Sequence, residues 1–160
     1  MKRILIALCG MILLAGCSFP DYKGYVMEKE DRRILVVSPE AEGWNGNDDQ
    51  KHYDALWASG VPEDIEIGEQ VEVWADTVAE SYPGQANPEK INVLPADEPE
   101  AADLTEAEAI RKALEEKDHE RGMKVIKSSE FKEEDDEWII EIVYTNSGTP
   151  PLEVRVADRE

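Results

Sequence analysis

One stretch governs how this chain divides. Pro95-Ala96-Asp97-Glu98-Pro99-Glu100-Ala101-Ala102-Asp103 carries prolines and acids and no apolar periodicity. Proline fixes φ and removes an amide donor, so neither a helix nor a strand ladder runs through such a segment, and it reads as a linker. Before it, apolar residues recur with a period of two. After it, the period first becomes helical and then returns to two. The pattern predicts a β module over residues 17–94, a linker over 95–103 and an α+β module over 104–160, all preceded by a distinct segment at 1–16. No internal repeat is visible.

The first module reads as short strands. Tyr25-Val26-Met27 and Ile34-Leu35-Val36-Val37 flank the polar Glu28-Lys29-Glu30-Asp31-Arg32-Arg33, a hairpin signal. A glycine-rich polar loop is expected at Glu42-Gly43-Trp44-Asn45-Gly46-Asn47-Asp48-Asp49, then a short strand at Ala55-Leu56-Trp57-Ala58. Gly68-Glu69-Gln70-Val71-Glu72-Val73-Trp74 alternates, with Val71 and Val73 on one face. A turn at Tyr82-Pro83-Gly84 leads to a last strand, Ile91-Asn92-Val93-Leu94. Short strands with little helix predict a small five-stranded OB-like barrel, because an isolated two- or three-stranded sheet leaves exposed edges and too little core.

In the second module Thr105 and Glu108 have the spacing of a capping box. Ala107, Ile110, Ala113 and Leu114 form one apolar stripe, and Gly122 follows the cationic end of the helix. Strands are expected over 123–128, 137–144 and 152–157. A helix packed on a three-stranded antiparallel sheet is the predicted unit.

The N-terminal segment has a different chemistry. Lys2 and Arg3 precede the uncharged, mostly apolar run Ile4 to Ala15, and Leu14-Ala15-Gly16-Cys17 follows. The run is too short for a transmembrane helix, which needs about 20 apolar residues, and suits a signal peptide. Leu14-Ala15-Gly16-Cys17 resembles the lipobox of bacterial lipoproteins. That resemblance implies cleavage after Gly16, a diacylglyceryl thioether on Cys17 and a lipid anchor on the extracytoplasmic face of the cell membrane. An ordinary secretory signal that happens to hold a cysteine is the alternative. Cys9 would leave with the signal, so no disulfide, cysteine zinc site or cysteine nucleophile is expected in the mature chain.

The formal charge is −20, and loss of Lys2 and Arg3 takes it to −22. Such a surface repels phosphates, which argues against nucleic acid and anionic headgroups as partners. The carboxylates are spread along the chain, as for a solvated surface facing a salty or alkaline exterior. Binding of cations or basic partners is the competing explanation.

No motif announces catalysis. The two histidines, His52 and His119, are too few for a zinc ligand set, and no metal or other cofactor is expected. No G-x-S-x-G occurs, and Ser59 and Ser81 show no histidine partner at sequence level. Glu133-Glu134-Asp135-Asp136-Glu137 and Asn45-Gly46-Asn47-Asp48-Asp49 are solvated turns first and calcium ligand sets second. Trp138, in phase with Ile140 and Ile142, reads as core. Trp44, with nothing apolar beside it, either anchors a partner or saccharide or folds back over the barrel. Trp44 and Tyr82, the latter on its turn, are the candidate partner-binding residues.

Two resemblances follow from these residues. Gly24-Tyr25-Val26, Ile34-Leu35-Val36-Val37, Trp57, Gly68-Glu69-Gln70-Val71-Glu72-Val73-Trp74 and Ser81-Tyr82-Pro83-Gly84-Gln85-Ala86 resemble the YobA-like family of uncharacterised lipoproteins over residues 22–94. That implies a lipoprotein with a small β-barrel-like domain and brings no activity. Leu104-Thr105-Glu106-Ala107-Glu108-Ala109-Ile110 and Trp138-Ile139-Ile140-Glu141-Ile142 resemble a PepSY-type domain, and so imply an extracytoplasmic regulator, in some cases of peptidases. Asp158-Arg159-Glu160 departs from that pattern by stopping short of its aspartate-containing turn.

The expectation is therefore a membrane-anchored, non-enzymatic lipoprotein that binds or regulates an envelope protein, such as a peptidase. A binding protein for divalent cations or cell-wall saccharide comes second and an enzyme third. If the acidity serves solvation, calorimetry at matched ionic strength will show melting temperature rising with salt and indifferent to whether sodium, magnesium or calcium supplies it. A saturable calcium shift at sub-millimolar concentration contradicts that.

Overall fold

The computed structural model describes residues 19–44, 47–116, 122–145 and 150–159, with backbone only at 42–44, 47–51 and 116. These residues form nine strands in two sheets and one helix. Strands β1 (Tyr22–Glu30), β2 (Arg33–Trp44), β3 (Asn47–Ser59), β4 (Gln70–Trp74), β5 (Gly84–Ala86) and β6 (Lys90–Val93) make the first sheet, in the order β5-β3-β2-β1-β4-β6. Helix α1 (Glu106–Glu116) follows. Strands β7 (Lys124–Lys132), β8 (Glu137–Tyr144) and β9 (Leu152–Ala157) make the second sheet, in chain order. No helix among the described residues is long and apolar enough to cross a membrane.

The expected hairpin forms, with strands longer than its apolar runs. Glu28, Lys29 and Glu30 pair with Leu35, Ile34 and Arg33, leaving Asp31 and Arg32 to turn. Asp31 adopts φ 50°, a left-handed conformation that aspartate tolerates. The expected loop at 42–49 is instead largely strand, since β2 continues to Trp44 and β3 starts at Asn47. Backbone pairing through Ala41↔Tyr53, Glu42↔His52 and Gly43↔Lys51 satisfies the main chain whatever the side-chain polarity. A sixth strand, β5, pairs in parallel with β3 through only three residues. Among the described residues no ladder joins β5 to β6, so no closed barrel is found.

The central parts of strands β1 to β3 are buried on both faces. Val26, Ile34, Val36, Leu56 and Ala58 join Val61, Ile65, Val71 and Val73 in one core. The intervening Met27, Leu35, Val37, Tyr53 and Ala55 belong to a second core, with Ala109, Ile110, Ala113 and Leu114 of α1 and Trp138, Ile140, Ile142, Val154 and Val156 of the second sheet. Side chains alternate along a strand, so the two sets lie on opposite faces. That accounts for the unbroken Ile34-Leu35-Val36-Val37 run, which a half-exposed strand would not need.

The second unit follows its sequence pattern closely. The Thr105 amide donates to Glu108 Oε2 at 2.9 Å, and the Glu108 amide donates to Thr105 Oγ1 at 3.3 Å. The Thr105 amide, and then the Thr105 hydroxyl donating to the same oxygen at 2.9 Å, hold the Glu108 carboxyl below its ordinary range. Ala107, Ile110, Ala113 and Leu114 are all buried, as the stripe requires. Strands β8 and β9 occupy the expected residues, with Trp138, Ile140, Ile142 and Tyr144 alternating inward.

Polar contacts reinforce the shared core across the 95–103 stretch. The Arg111 guanidinium donates to the Ile67 carbonyl at 3.0 Å, and the Tyr25 hydroxyl donates to Glu106 Oε1 at 2.9 Å. Ser129 Oγ donates to the same Glu106 oxygen, and the Lys127 ammonium to the Pro39 carbonyl. Burial first, and the Glu106 carboxylate second, push the Tyr25 phenol well above its usual value.

Gly68 sits at the tightest point of this seam. Its φ is +93°, and a Cβ there would lie 2.2 Å from the Ala107 carbonyl oxygen of α1. Gly60 has φ +75° and open space around it. Gly60→Ala is therefore expected to cost only the left-handed penalty of about 1–2 kcal/mol, and Gly68→Ala roughly 1–3 kcal/mol more. Urea titrations followed by far-ultraviolet circular dichroism and by tryptophan fluorescence are expected to coincide, because the halves share a core.

Candidate functional site

The polar alternation that ends the strand pattern of β3 builds a site. His52 and Asp54 fall on the same face as Leu56, at the point where the apolar core gives way to solvent. Beside them, Gly84 pairs with Leu56 and brings the 79–85 loop against β3. A Cβ on Gly84 would stand 2.9 Å from Val78 Cγ1, so a larger residue would have to push the Val78 side chain aside. The loop is internally laced: the Ala79 amide donates to the Gln85 carbonyl, the Ser81 amide to the Ala79 carbonyl, and Ser81 Oγ to the Pro83 carbonyl, each at 2.8 Å.

The loop thereby holds Tyr82 over β3. Its hydroxyl donates to the Tyr53 carbonyl at 2.9 Å, and its ring lies 4.8 Å from the His52 imidazole at an interplanar angle of 46°. Tyr82 remains 49% exposed although both ends are anchored. A pocket of about 290 Å³ opens alongside, lined by Tyr22, His52, Asp54, Glu80, Ser81 and Tyr82 among others. The His52 Nε2 to Asp54 Oδ1 distance is 3.8 Å. Burial, then the Asp54 carboxylate, raises the pKa of both Tyr22 and Tyr82, so one carboxylate acts on both phenols.

The expected site residues fare differently. Tyr82 is central to the pocket. Trp44 ends β2, two positions beyond Glu42, the partner of His52, and its side chain lies outside the described set. Gly16, Cys17 and His119 lie outside the described residues. Ser81, with no visible histidine partner in the sequence, shares the pocket with His52 and Asp54, and its hydroxyl is committed to Pro83. In the acidic turn, Glu133, Glu134 and Asp135 are exposed and Glu137 pairs with Arg155. Among the described residues no three His, Cys, Asp or Glu side chains are grouped to hold a metal ion. Tyr22 and Asp54 escaped the sequence reading. The alternation His52-Tyr53-Asp54-Ala55 was the available signal for the second, and nothing local marks the first.

A larger cleft of about 790 Å³ lies between β1 and the end of α1. Lys29 and Glu66 pair across it: Lys29 Nζ meets Glu66 Oε1 at 2.7 Å and the Glu63 carbonyl at 2.8 Å. That Lys29 contact holds the Glu66 carboxyl low.

A separate polar cluster closes the second unit. Asp158 is 2% exposed, and its carboxylate accepts the amides of Asp103 at 2.6 Å and Leu104 at 2.9 Å and the Trp138 indole at 3.3 Å. Burial alone would raise its pKa. The two amides, the indole and neighbouring Arg159 outweigh that and hold it below the ordinary value.

With this geometry in view, the described residues make a mostly β protein with two sheets, one helix and an aromatic, acidic pocket on the first sheet. Residues 23–95 match a family described as a protein of unknown function (DUF3221). The crystal structure of a yobA protein from Bacillus subtilis subsp. subtilis strain 168 is similar at 25% identity, with a TM-score of 0.33, covering 45% of this chain and 90% of that one. No curated protein matches. The matched stretch includes every described lining residue of the pocket except Tyr22.

Asp158 supplies a test of the fold around this site. A carboxyl held down by folding contributes stability above its unfolded pKa of about 3.9 and loses it as pH falls through the lower folded value. Asp158→Asn is expected to cost roughly 1–3 kcal/mol at neutral pH. Chemical denaturation across pH should show the gap to the wild type narrowing below about pH 4.

Proposed function

We propose that this protein is a lipid-anchored, extracytoplasmic, non-enzymatic binding module that acts on another component of the cell envelope. The observation that carries the binding role is the pocket between Tyr22, His52, Asp54 and Tyr82, built by a loop whose own hydrogen bonds hold an exposed aromatic in place. An aromatic ring that is both exposed and immobilised has little entropy left to lose on contact, which favours recognition. The anchor rests on Lys2, Arg3, the apolar run to Ala15 and the Leu14-Ala15-Gly16-Cys17 lipobox. A thioether-linked diacylglycerol supplies two chains, enough for stable attachment where one is marginal.

In this reading the first sheet is an OB-like sheet that presents the pocket. The capped helix and three strands of the second unit serve as a PepSY-like regulatory element. Two observations support the second assignment: the Thr105–Glu108 cap, and the central strand carrying Trp138, Ile140 and Ile142 under α1. Because α1 shares a core with Leu35, Val37 and Ala55, the two units act as one body.

Fractionation tests the anchor. The mature protein is expected in the membrane fraction, and Cys17→Ala in the soluble fraction or as unprocessed precursor. A Cys17→Ala protein processed and membrane-bound like the wild type defeats the assignment. Cross-linking in membranes, with recovery of a specific envelope protein, tests the binding role.

A further inference from the structure

The charge of the pocket on the first sheet identifies what it takes. Its described lining residues include the carboxylates Asp54 and Glu80, the phenols Tyr22 and Tyr82 and the imidazole His52, and no lysine or arginine. The larger cleft, by contrast, is lined by Lys29, Arg111 and Lys124 as well as acids, so much of its negative charge is offset from within. Elsewhere on this surface cations already sit on aromatic faces: the Arg33 guanidinium lies 4.2 Å from the Trp57 ring centre and the Lys90 ammonium 4.1 Å from that of Trp74. The Tyr82 pocket offers rings and carboxylates with no such internal cation among its described residues.

We propose that this pocket binds an organic ammonium group, held by the Asp54 carboxylate and by the faces of Tyr22 and Tyr82. A cation over an aromatic face is attracted by the ring quadrupole, and the attraction grows as water is excluded. A carboxylate in the lining adds a charge-assisted hydrogen bond. A hydrated metal ion would need several oxygen ligands converging on it, and no group of three acidic or histidine side chains converges among the described residues. A saccharide would use the rings and carboxylates but has no call on the shared negative field of Asp54 at both phenols. A volume of about 290 Å³ suits an alkylammonium head with its first methylenes, not an extended chain. The overall charge of −20 draws such cations toward the surface. This assignment rests on the binding role proposed above and gives it a chemical class.

The test uses the full chain in nonionic detergent, with tyrosine and histidine side chains observed by nuclear magnetic resonance at constant ionic strength. The probes are n-butylammonium and Nα-acetyl-lysine amide, with Nα-acetyl-norleucine amide as the uncharged control. Saturable shifts confined to Tyr22, His52 and Tyr82 are expected with both cations and not with the control. Asp54→Asn and Tyr82→Ala are each expected to weaken binding roughly tenfold or more, while Glu28→Gln, on an exposed position of β1, leaves it unchanged. Tyr82→Phe keeps the ring, so retained binding there supports the ring's role even if Tyr82→Ala fails to fold. Tighter binding of the lysine amide points to a lysine side chain of a protein partner, and equal binding to a free amine. No saturable response to either cation, an equal response in Asp54→Asn, or an equal response to the norleucine amide overturns the proposal. If envelope cross-linking persists in a folded Asp54→Asn protein, the ammonium assignment falls and the binding role stands. If wild-type protein captures no envelope partner yet binds ammonium, the reverse holds.

Discussion

The burial of both faces of β1, β2 and β3 is the constraint on which the rest of the structure depends. A sheet with one wet face needs apolar residues only at alternate positions. Here Ile34, Leu35, Val36 and Val37 are all buried, two toward the core closed by Val61, Ile65 and Val71 and two toward α1 and the second sheet. Removing the second unit would expose Met27, Leu35, Val37 and Ala55 together, an apolar patch that a solvated domain does not carry without a partner. The covering unit is thus part of the first sheet's stability.

Polar groups then decide how the cover sits. Glu106 receives hydroxyls from Tyr25 of the first sheet and Ser129 of the second, so its single carboxylate joins both units at the helix N-terminus, where negative charge is favoured. Asp158 performs the corresponding task at the other end of the chain, tying the residues that enter α1 to Trp138. Buried carboxylates are costly unless their oxygens are saturated by donors, and the paired amides meet that requirement. Gly68 completes the arrangement by letting the β4 approach pass beneath Ala107 with no side chain in the way.

The pocket is a by-product of the same architecture. β3 is largely buried on both faces from Ala55 to Ala58, and the 79–85 loop crosses it near the half-buried His52 and Asp54. Tyr82 is held there from two sides, by the hydrogen bonds within its own loop and by a backbone carbonyl of β3. A recognition surface on a rigid strand and a laced loop needs little reorganisation when it engages a ligand.

What the sequence determined by itself was the set of local choices. The capping box at Thr105 and Glu108, the stripe of Ala107, Ile110, Ala113 and Leu114, and the alternation of β8 and β9 all depend on contacts a few residues apart or on a period of two, and they appear where the sequence puts them. The extension of β2 to Trp44 and the start of β3 at Asn47 were less legible, because ladder hydrogen bonds are made by the main chain and polar side chains conceal them. Strand β5, three residues in parallel pairing, carries too short a pattern to read. The 95–103 stretch lacks regular structure as its prolines require, yet only the tertiary fold decided that Leu35 and Ile110 on either side of it share one core. It also decided that Tyr22, Asp54 and Tyr82 line one pocket. Those contacts join residues some thirty to seventy-five positions apart, and no local periodicity carries information over such separations.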